Sequence, residues 1–341
     1  MGITEEFASV FRSMPTGKHN LITDVPGVTV GHKTIDNDPL HTGVTVLFPH
    51  QGNLFYDKCP AAVHVINGFG KSCGLVQVEE LGTIETPLFF TNTLSVGTVW
   101  TKAVRYMLEQ NPAIGRTTGT VNPVVFECND GALSDIRALA VTEEDVSLAM
   151  SNASDVFEEG AVGAGTGMTC YGLKGGIGSA SRLVSVYGKE YTVGAMLLTN
   201  FGAFRDLRVA GKAIGELQAG IEEQKDKGSC IIVIATDAPV SDRQLKRVAK
   251  RAQSGLARTG GISGNGSGEI ALAFTTAYRI PHEKTDSPLH VCQFHDDDMD
   301  EIFRASIECV EESVLSSMMH CEHFVGRDGA ERKSLRELIS E

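Results

Sequence analysis

Residues 228–239 read GSCIIVIATDAP, and this stretch decides the fold. Ile231, Ile232, Val233 and Ile234 follow one another without a polar break, which predicts an interior strand built from β-branched residues. Asp237 and Pro239 end it. A glycine and a serine, Gly228 and Ser229, stand at its threshold. They fit an ordinary strand entrance, with Gly228 relieving the turn and Ser229 facing water. They also fit a latent chain end, whose serine gains a second reactive group once the bond before it is broken.

Working outward, strands are predicted in LITDVPGVTVGHKT and TGVTVLFPH, where valines alternate with polar residues behind a Pro-Gly turn. AAVHVINGFG and CGLVQVEELGTIETPLFFTNT add short apolar segments punctuated by glycine and proline. Residues 96–112 place apolar groups at helical intervals and stop at Asn111–Pro112. VNPVVFECND and YTVGAMLLTNFG read as strands, and residues 134–153 contain helical stretches with acidic outward positions. Residues 206–228 read as a polar, glycine-bearing connection with room for a short helical element. Beyond the deciding strand, residues 241–258 form an amphipathic helix capped by Ser241. GNGSGEIALAFTTAYRI returns to a turn and strand. Residues 296–324 predict a last helix, and the charged tail after it is expected to fray.

The whole chain sets bounds on these readings. Its 341 residues can bury a substantial core, and a formal charge of −13 disfavours nonspecific attraction to nucleic acid or anionic membranes. The basic face of the 241–258 helix is therefore read as solvated charge. No signal-like segment opens the chain and no apolar run approaches a membrane span, so cytoplasmic residence is expected. The eight cysteines are scattered without zinc-ribbon spacing and are expected to be reduced. The glycine-rich GAVGAGTGMTCYGLKGGIGSASR lacks a phosphate-binding signature and suggests close packing around a site.

A serine hydroxyl is a weak nucleophile until a base takes its proton. If the Gly228–Ser229 bond is cleaved, Ser229 acquires an amine able to assist its own hydroxyl. The hydroxyl can make that cut itself by attacking the Gly228 carbonyl in an N-to-O acyl shift. Ser267 and Glu269 in NGSGE lie two apart at a strand start and can project to one side, as helpers or as turn residues. Asn200, closing YTVGAMLLTN, can donate to an oxyanion or merely end a strand. In FECND, Glu127 can hold a substrate amine while Asn129 shapes the pocket, or both belong to a strand-edge turn. His282, His290 and His295 with Asp286, Asp296, Asp297 and Asp298 offer a weaker metal-hydrolase alternative, without HExxH spacing.

These segments, with HNLITDVPGVTVGHKT, TNTLSVGTV and RQLKRVAKRAQSGLARTG, appear in order over about residues 16 to 280. In them the chain resembles the DmpA-type aminopeptidases, peptidase family S58, the L-aminopeptidase/D-esterase and β-peptidyl aminopeptidase group of self-processing N-terminal nucleophile enzymes. The resemblance implies a four-layer α/β/β/α sandwich, one domain cut after Gly228 into chains 1–228 and 229–341. It implies Ser229 as nucleophile and new N-terminus, Ser267 and Glu269 as helpers, and Asn200 at the oxyanion. It implies Glu127 as the amine-recognition residue. Asn129 stands where some relatives carry a more aromatic residue. The implied activity is release of the N-terminal residue from short peptides, amino-acid amides or esters, with no cofactor or metal. The implied assembly is a homo-oligomer of processed heterodimers, for instance four of them. Aminoacyl transfer by the same nucleophile and a noncatalytic receptor for amine-bearing peptides stay open at this stage.

Overall fold

The computed structural model describes residues 12–214 and 228–340. The connection expected to hold a short helical element therefore lies largely outside the described residues. Nine main strands carry the architecture: β1 (Thr29–Asn37), β2 (Leu40–Phe48), β3 (Asp57–Gly68), β4 (Leu88–Asn92), β5 (Val124–Cys128), β6 (Ile177–Val186), β7 (Lys189–Asn200), β8 (Ser229–Thr236) and β9 (Gly268–Thr275). One sheet runs β1-β2-β4-β5, antiparallel except for the parallel pair β4/β5. The other runs β3-β9-β8-β7-β6, extended at β3 by two short strands. Only β8 and β9 run parallel in it, at its centre.

Five of the six α-helices among the described residues cover the sheets: α1 (Leu75–Leu81), α2 (Val96–Gln110), α3 (Glu143–Ser151), α4 (Asp242–Arg258) and α5 (Asp300–Met319); the sixth, Leu335–Ser340, packs on α5. The unbroken apolar run of β8 explains the layering. Ile231, Val233 and Ala235 face a core shared with Leu47, Leu88, Phe90 and Phe126 of the other sheet. Cys230, Ile232 and Ile234 face Leu245, Val248 and Ala252 of α4 and Cys309, Val310 and Val314 of α5. A strand whose successive side chains point to opposite faces needs apolar residues at every position when both faces are covered. On the outer side of the first sheet, Val44, Val46, Phe89 and Val125 pack on Val99 and Ala103 of α2 and Val146 and Ala149 of α3. The result is helix, sheet, sheet, helix.

Several elements differ from their sequence reading for local reasons. Within residues 134–153 only α3 is α-helical: Leu139 takes a left-handed φ of 49°, and a Thr142–Asp145 capping box starts the helix afresh. Residues 75–81 form a helix between two left-handed glycines, Gly74 and Gly82. The charged tail is held rather than frayed, because Phe324–Val325 pairs with Glu331–Arg332 and Leu335 and Leu338 enter the core. The basic face of α4 meets carboxylates as expected of solvated charge, through Lys246–Glu79, Arg243–Asp296 and Arg258–Glu311. The eight cysteines form no disulfide. Among the described residues no helix is long and apolar enough to cross a membrane.

Candidate active site

The threshold of β8 lies where three strands meet. Ser229 pairs with Asn200, the last residue of β7, on one side and with Gly268, the first residue of β9, on the other. Ser267 and Glu269 flank Gly268, and Ser267 Oγ donates to Glu269 Oε1 at 3.0 Å. A register shift against β3 falls between Glu269 and Ile270, a bulge at the strand end that carries the pair. The turn before it is tied down, since Asn67 Nδ2 donates to the carbonyls of Gly264 and Ser267 and the Phe69 N–H also reaches Ser267 O. Ser229 and Asn200 retain only 6% and 5% exposure, so the centre is a cluster of buried polar groups.

Gly228 is required here for close approach. A Cβ on it would stand 1.7 Å from the Asn200 carbonyl oxygen, and its backbone needs no left-handed φ. The Gly228 carbonyl accepts from the Gly268 N–H at 3.2 Å. Gly268 is itself confined, because its Cβ would come 2.6 Å from Phe69 O and 3.1 Å from Ser229 Oγ. Gly268 leaves the Ser229 hydroxyl its space, and Gly228 lets the chain before it pass close to the end of β7.

Asn200 has its amide orientation fixed by partners of unambiguous type. Its Oδ1 accepts from the Thr169 N–H at 3.0 Å, and its Nδ2 donates to the Asn129 carbonyl at 3.0 Å. The second Nδ2 hydrogen remains for another acceptor. Asn129 thus meets Asn200 through its backbone, while its exposed side chain closes a turn onto the Gly131 N–H.

Glu127 is the next-to-last residue of β5, buried, and accepts from the Lys71 N–H at 2.7 Å and from Thr93 Oγ1. Gly70 links it to the centre: a Cβ there would be 3.3 Å from Glu127 Oε1 and 3.8 Å from Gly268 Cα. Two neighbours of Glu127 are electrostatically distinct. Burial pushes the Cys128 thiol well above its ordinary range, which removes it as a competing nucleophile. Burial likewise raises the Asp130 carboxyl to about 6.

The structure thus gathers Ser229, Gly228, Asn200, Ser267, Glu269, Glu127 and Asn129 around one corner of the second sheet and the facing end of β5. It does not gather the histidine–aspartate alternative. His282 stacks on Phe55 and bonds Thr118, whereas Asp296 is committed to Arg243 and Gln244, which hold its carboxyl down at about 2. No group of three or more metal-ligating side chains occurs among the described residues. Sequence reading missed Thr93, Thr169, Lys71 and Gly268 as contributors. Three of these act through backbone N–H groups, which leave no side-chain signature.

Comparison with known proteins is consistent with this geometry. The model of peptidase family S58 matches residues 20–332. The chain is 37% identical to a beta-peptidyl aminopeptidase, BapA, of Sphingosinicella xenopeptidilytica, over 92% of this chain and 84% of that protein. It is 47% identical to the PH0078 protein of Pyrococcus horikoshii, whose crystal structure superposes with a TM-score of 0.94 over 100% of this chain and 98% of that one. The L-aminopeptidase D-Ala-esterase/amidase of Ochrobactrum anthropi, a prototype of the serine aminopeptidases with a variant Ntn hydrolase fold, is 34% identical. It superposes with a TM-score of 0.91 over 97% of this chain and 96% of that one. Matches of this extent, on a chain whose strands converge on a glycine–serine threshold, show that it belongs to peptidase family S58 as a DmpA-type, self-processing serine aminopeptidase that works through an N-terminal nucleophile.

Proposed function

We propose that the chain cuts itself between Gly228 and Ser229 and then uses Ser229 to remove the N-terminal residue from short peptides, amino-acid amides or esters. The observation that carries this reading is the position of Ser229 between Asn200 and Gly268, with the Ser267–Glu269 pair beside it. In the first step Ser229 Oγ attacks the Gly228 carbonyl carbon. The carbonyl oxygen already accepts from the Gly268 N–H, a donor that strengthens as negative charge develops there. Collapse moves the acyl group from nitrogen to oxygen, and water releases a Gly228 carboxylate and a free Ser229 amine.

That amine gives turnover its base, with an ordinary pKa of about 7.7 to 8. A substrate's protonated amine pairs with Glu127, which brings its scissile carbonyl to Ser229 Oγ. The Ser229 amine takes the hydroxyl proton, with Ser267 and Glu269 orienting and stabilising the ammonium. Asn200 Nδ2 and the Gly268 N–H, released from Gly228, receive the oxyanion. The leaving amine departs with the proton, and water cleaves the ester by the reverse use of the same base. Relatives described as a beta-peptidyl aminopeptidase and an L-aminopeptidase D-Ala-esterase/amidase support a substrate with a free amine and a small amide or ester.

Because β8 and β9 lie between β3 and β7, the two chains stay interleaved in one sheet and act as one domain after the cut. Assembly of such heterodimers into a larger homo-oligomer, resident in the cytoplasm, completes the reading. Intact-protein mass spectrometry with N-terminal sequencing tests it. Chains beginning at residue 1 and at Ser229 are expected, and a homogeneous, fully active uncut chain would overturn it.

A further inference from the structure

A side chain outside this constellation is built into it through one peptide plane. Lys174 is fully buried, and its Nζ donates to three backbone carbonyls: Gly165 at 3.2 Å, Met168 at 2.9 Å and Gly175 at 2.6 Å. The Phe324 ring closes the remaining side, 5.0 Å from Nζ. No carboxylate among the described residues lies within ion-pair distance of it. An ammonium buried without a direct ion-pair partner is costly, and a neutral side chain would fill the space more cheaply. What the position gains from lysine is three donors on one atom, matched to three acceptors. Burial draws the ammonium down to about 8, so it is mostly charged at neutral pH.

The Met168 carbonyl and the Thr169 N–H belong to the same planar peptide group and point in opposite directions. Fixing one fixes the other. Lys174 holds the Met168 oxygen, which also accepts from the Gly175 N–H at 3.1 Å, and the Thr169 N–H donates to Asn200 Oδ1 at 3.0 Å. The chain of donors therefore runs from Lys174 Nζ through the 168–169 peptide to Asn200. A cation at its head polarises each link, so the Asn200 Nδ2–H groups become stronger donors. The glycine-rich segment permits this packing: a Cβ on Gly165 would lie 2.6 Å from Ile177 N, and one on Gly175 would lie 2.8 Å from Thr199 O.

We infer that Lys174 is a positioning residue for the reaction, orienting and polarising the Asn200 amide toward the oxyanion through the Met168–Thr169 peptide. This rests on the reading of Asn200 as an oxyanion donor. A double-mutant cycle separates the two. Lys174→Met, Asn200→Ala and the double variant are assayed on an amino-acid p-nitroanilide, with rates normalised to the Ser229-initiated chain measured by mass. Lys174→Met is expected to lower kcat about 10- to 100-fold with KM changed less than about threefold. In the Asn200→Ala background the same change is expected to cost less than about threefold, because its target is gone. Equal losses in both backgrounds would overturn the role of Lys174 and leave that of Asn200 standing. An unchanged kcat in Asn200→Ala would instead overturn the reading of Asn200, and the inference with it. If Lys174→Met does not fold, Lys174→Arg enters the same cycle: it keeps the charge but cannot set three donors on these carbonyls from one atom. If a variant folds but matures too slowly for turnover to be assayed, the slowed rate of the Gly228–Ser229 cut, followed by mass, is the readout, with the same two outcomes.

Discussion

Asn200 and Ser229 face one another across β7 and β8, the last residue of one strand against the first of the next. The pairing sets both side chains on the same face of the sheet, while Thr169 and Asn129 hold the Asn200 amide in a single orientation. Removing an oxyanion donor lowers kcat by about 100- to 1,000-fold with little effect on KM. Asn200→Ala is expected to follow that pattern. Asn200→Asp should be worse, since a carboxylate would replace a donor with negative charge where negative charge develops. Steady-state kinetics on a small amide substrate check both.

Ser267 and Glu269 form a hydrogen-bonded pair beside Gly268, wholly buried. In the proposed mechanism a carboxylate there stabilises the protonated Ser229 amine, which an amide of the same shape would not do. Glu269→Gln is expected to reduce kcat by at least about tenfold while leaving the melting temperature near that of the unsubstituted protein. A large drop in melting temperature with unchanged turnover per folded molecule would assign Glu269 a structural role only.

How far the sequence discloses this site depends on the kind of contact. β8 is legible because covering both faces of a central strand demands Ile, Ile, Val and Ile in a row. Ser267 and Glu269 are legible as a pair because strand alternation holds over two residues. The partners of Asn200 are not, because Thr169 and Asn129 lie 31 and 71 residues away and only the closed sheet brings them near. Lys71 and Gly268 contribute N–H groups, which every residue but proline carries, so no composition marks them. The length of α3 was obscured for another reason: the apolar spacing runs through Leu139, but its left-handed backbone interrupts any helix there.

Glu127 lies across from the catalytic corner and meets it through Gly70, so its loss should fall on substrate binding rather than on self-cleavage. In the proposed mechanism the substrate's ammonium is its partner, and a hydrogen bond to a charged group contributes about 1.5 to 3 kcal/mol. Glu127→Gln is expected to raise KM about 10- to 100-fold for substrates with a free amine. Processing at Gly228, where no free amine is present, should proceed at its usual rate. Slowed processing alongside raised KM would show that Glu127 supports the fold of the site instead.

At Gly228 a methyl group would overlap the Asn200 carbonyl oxygen. Overpacking of this kind costs about 1 to 3 kcal/mol when the backbone shifts to relieve it. Gly228→Ala, introduced into a Ser229→Ala chain that cannot cut itself, is therefore expected to lower the melting temperature of the precursor. In the competent chain it should slow maturation. Once cut, residue 228 is a free chain end that can withdraw, so turnover by matured molecules should match the unsubstituted enzyme. Progress curves of maturation and active-site-normalised kcat check the two halves separately.

Asp130 follows Asn129 and is completely buried, and that burial raises its carboxyl to about 6. Between its ordinary value of about 4 and this raised one, the folded chain holds a proton that the unfolded chain has released. Stability from this group is therefore full below about pH 4 and is lost as pH rises toward 6, by up to about 3 kcal/mol. Asp130→Asn removes the titration. Its stability relative to the unsubstituted protein is expected to increase across that window and to stay level above it, read from denaturant midpoints at pH 4 to 8. A constant difference over the whole range would show that Asp130 does not titrate between the two states.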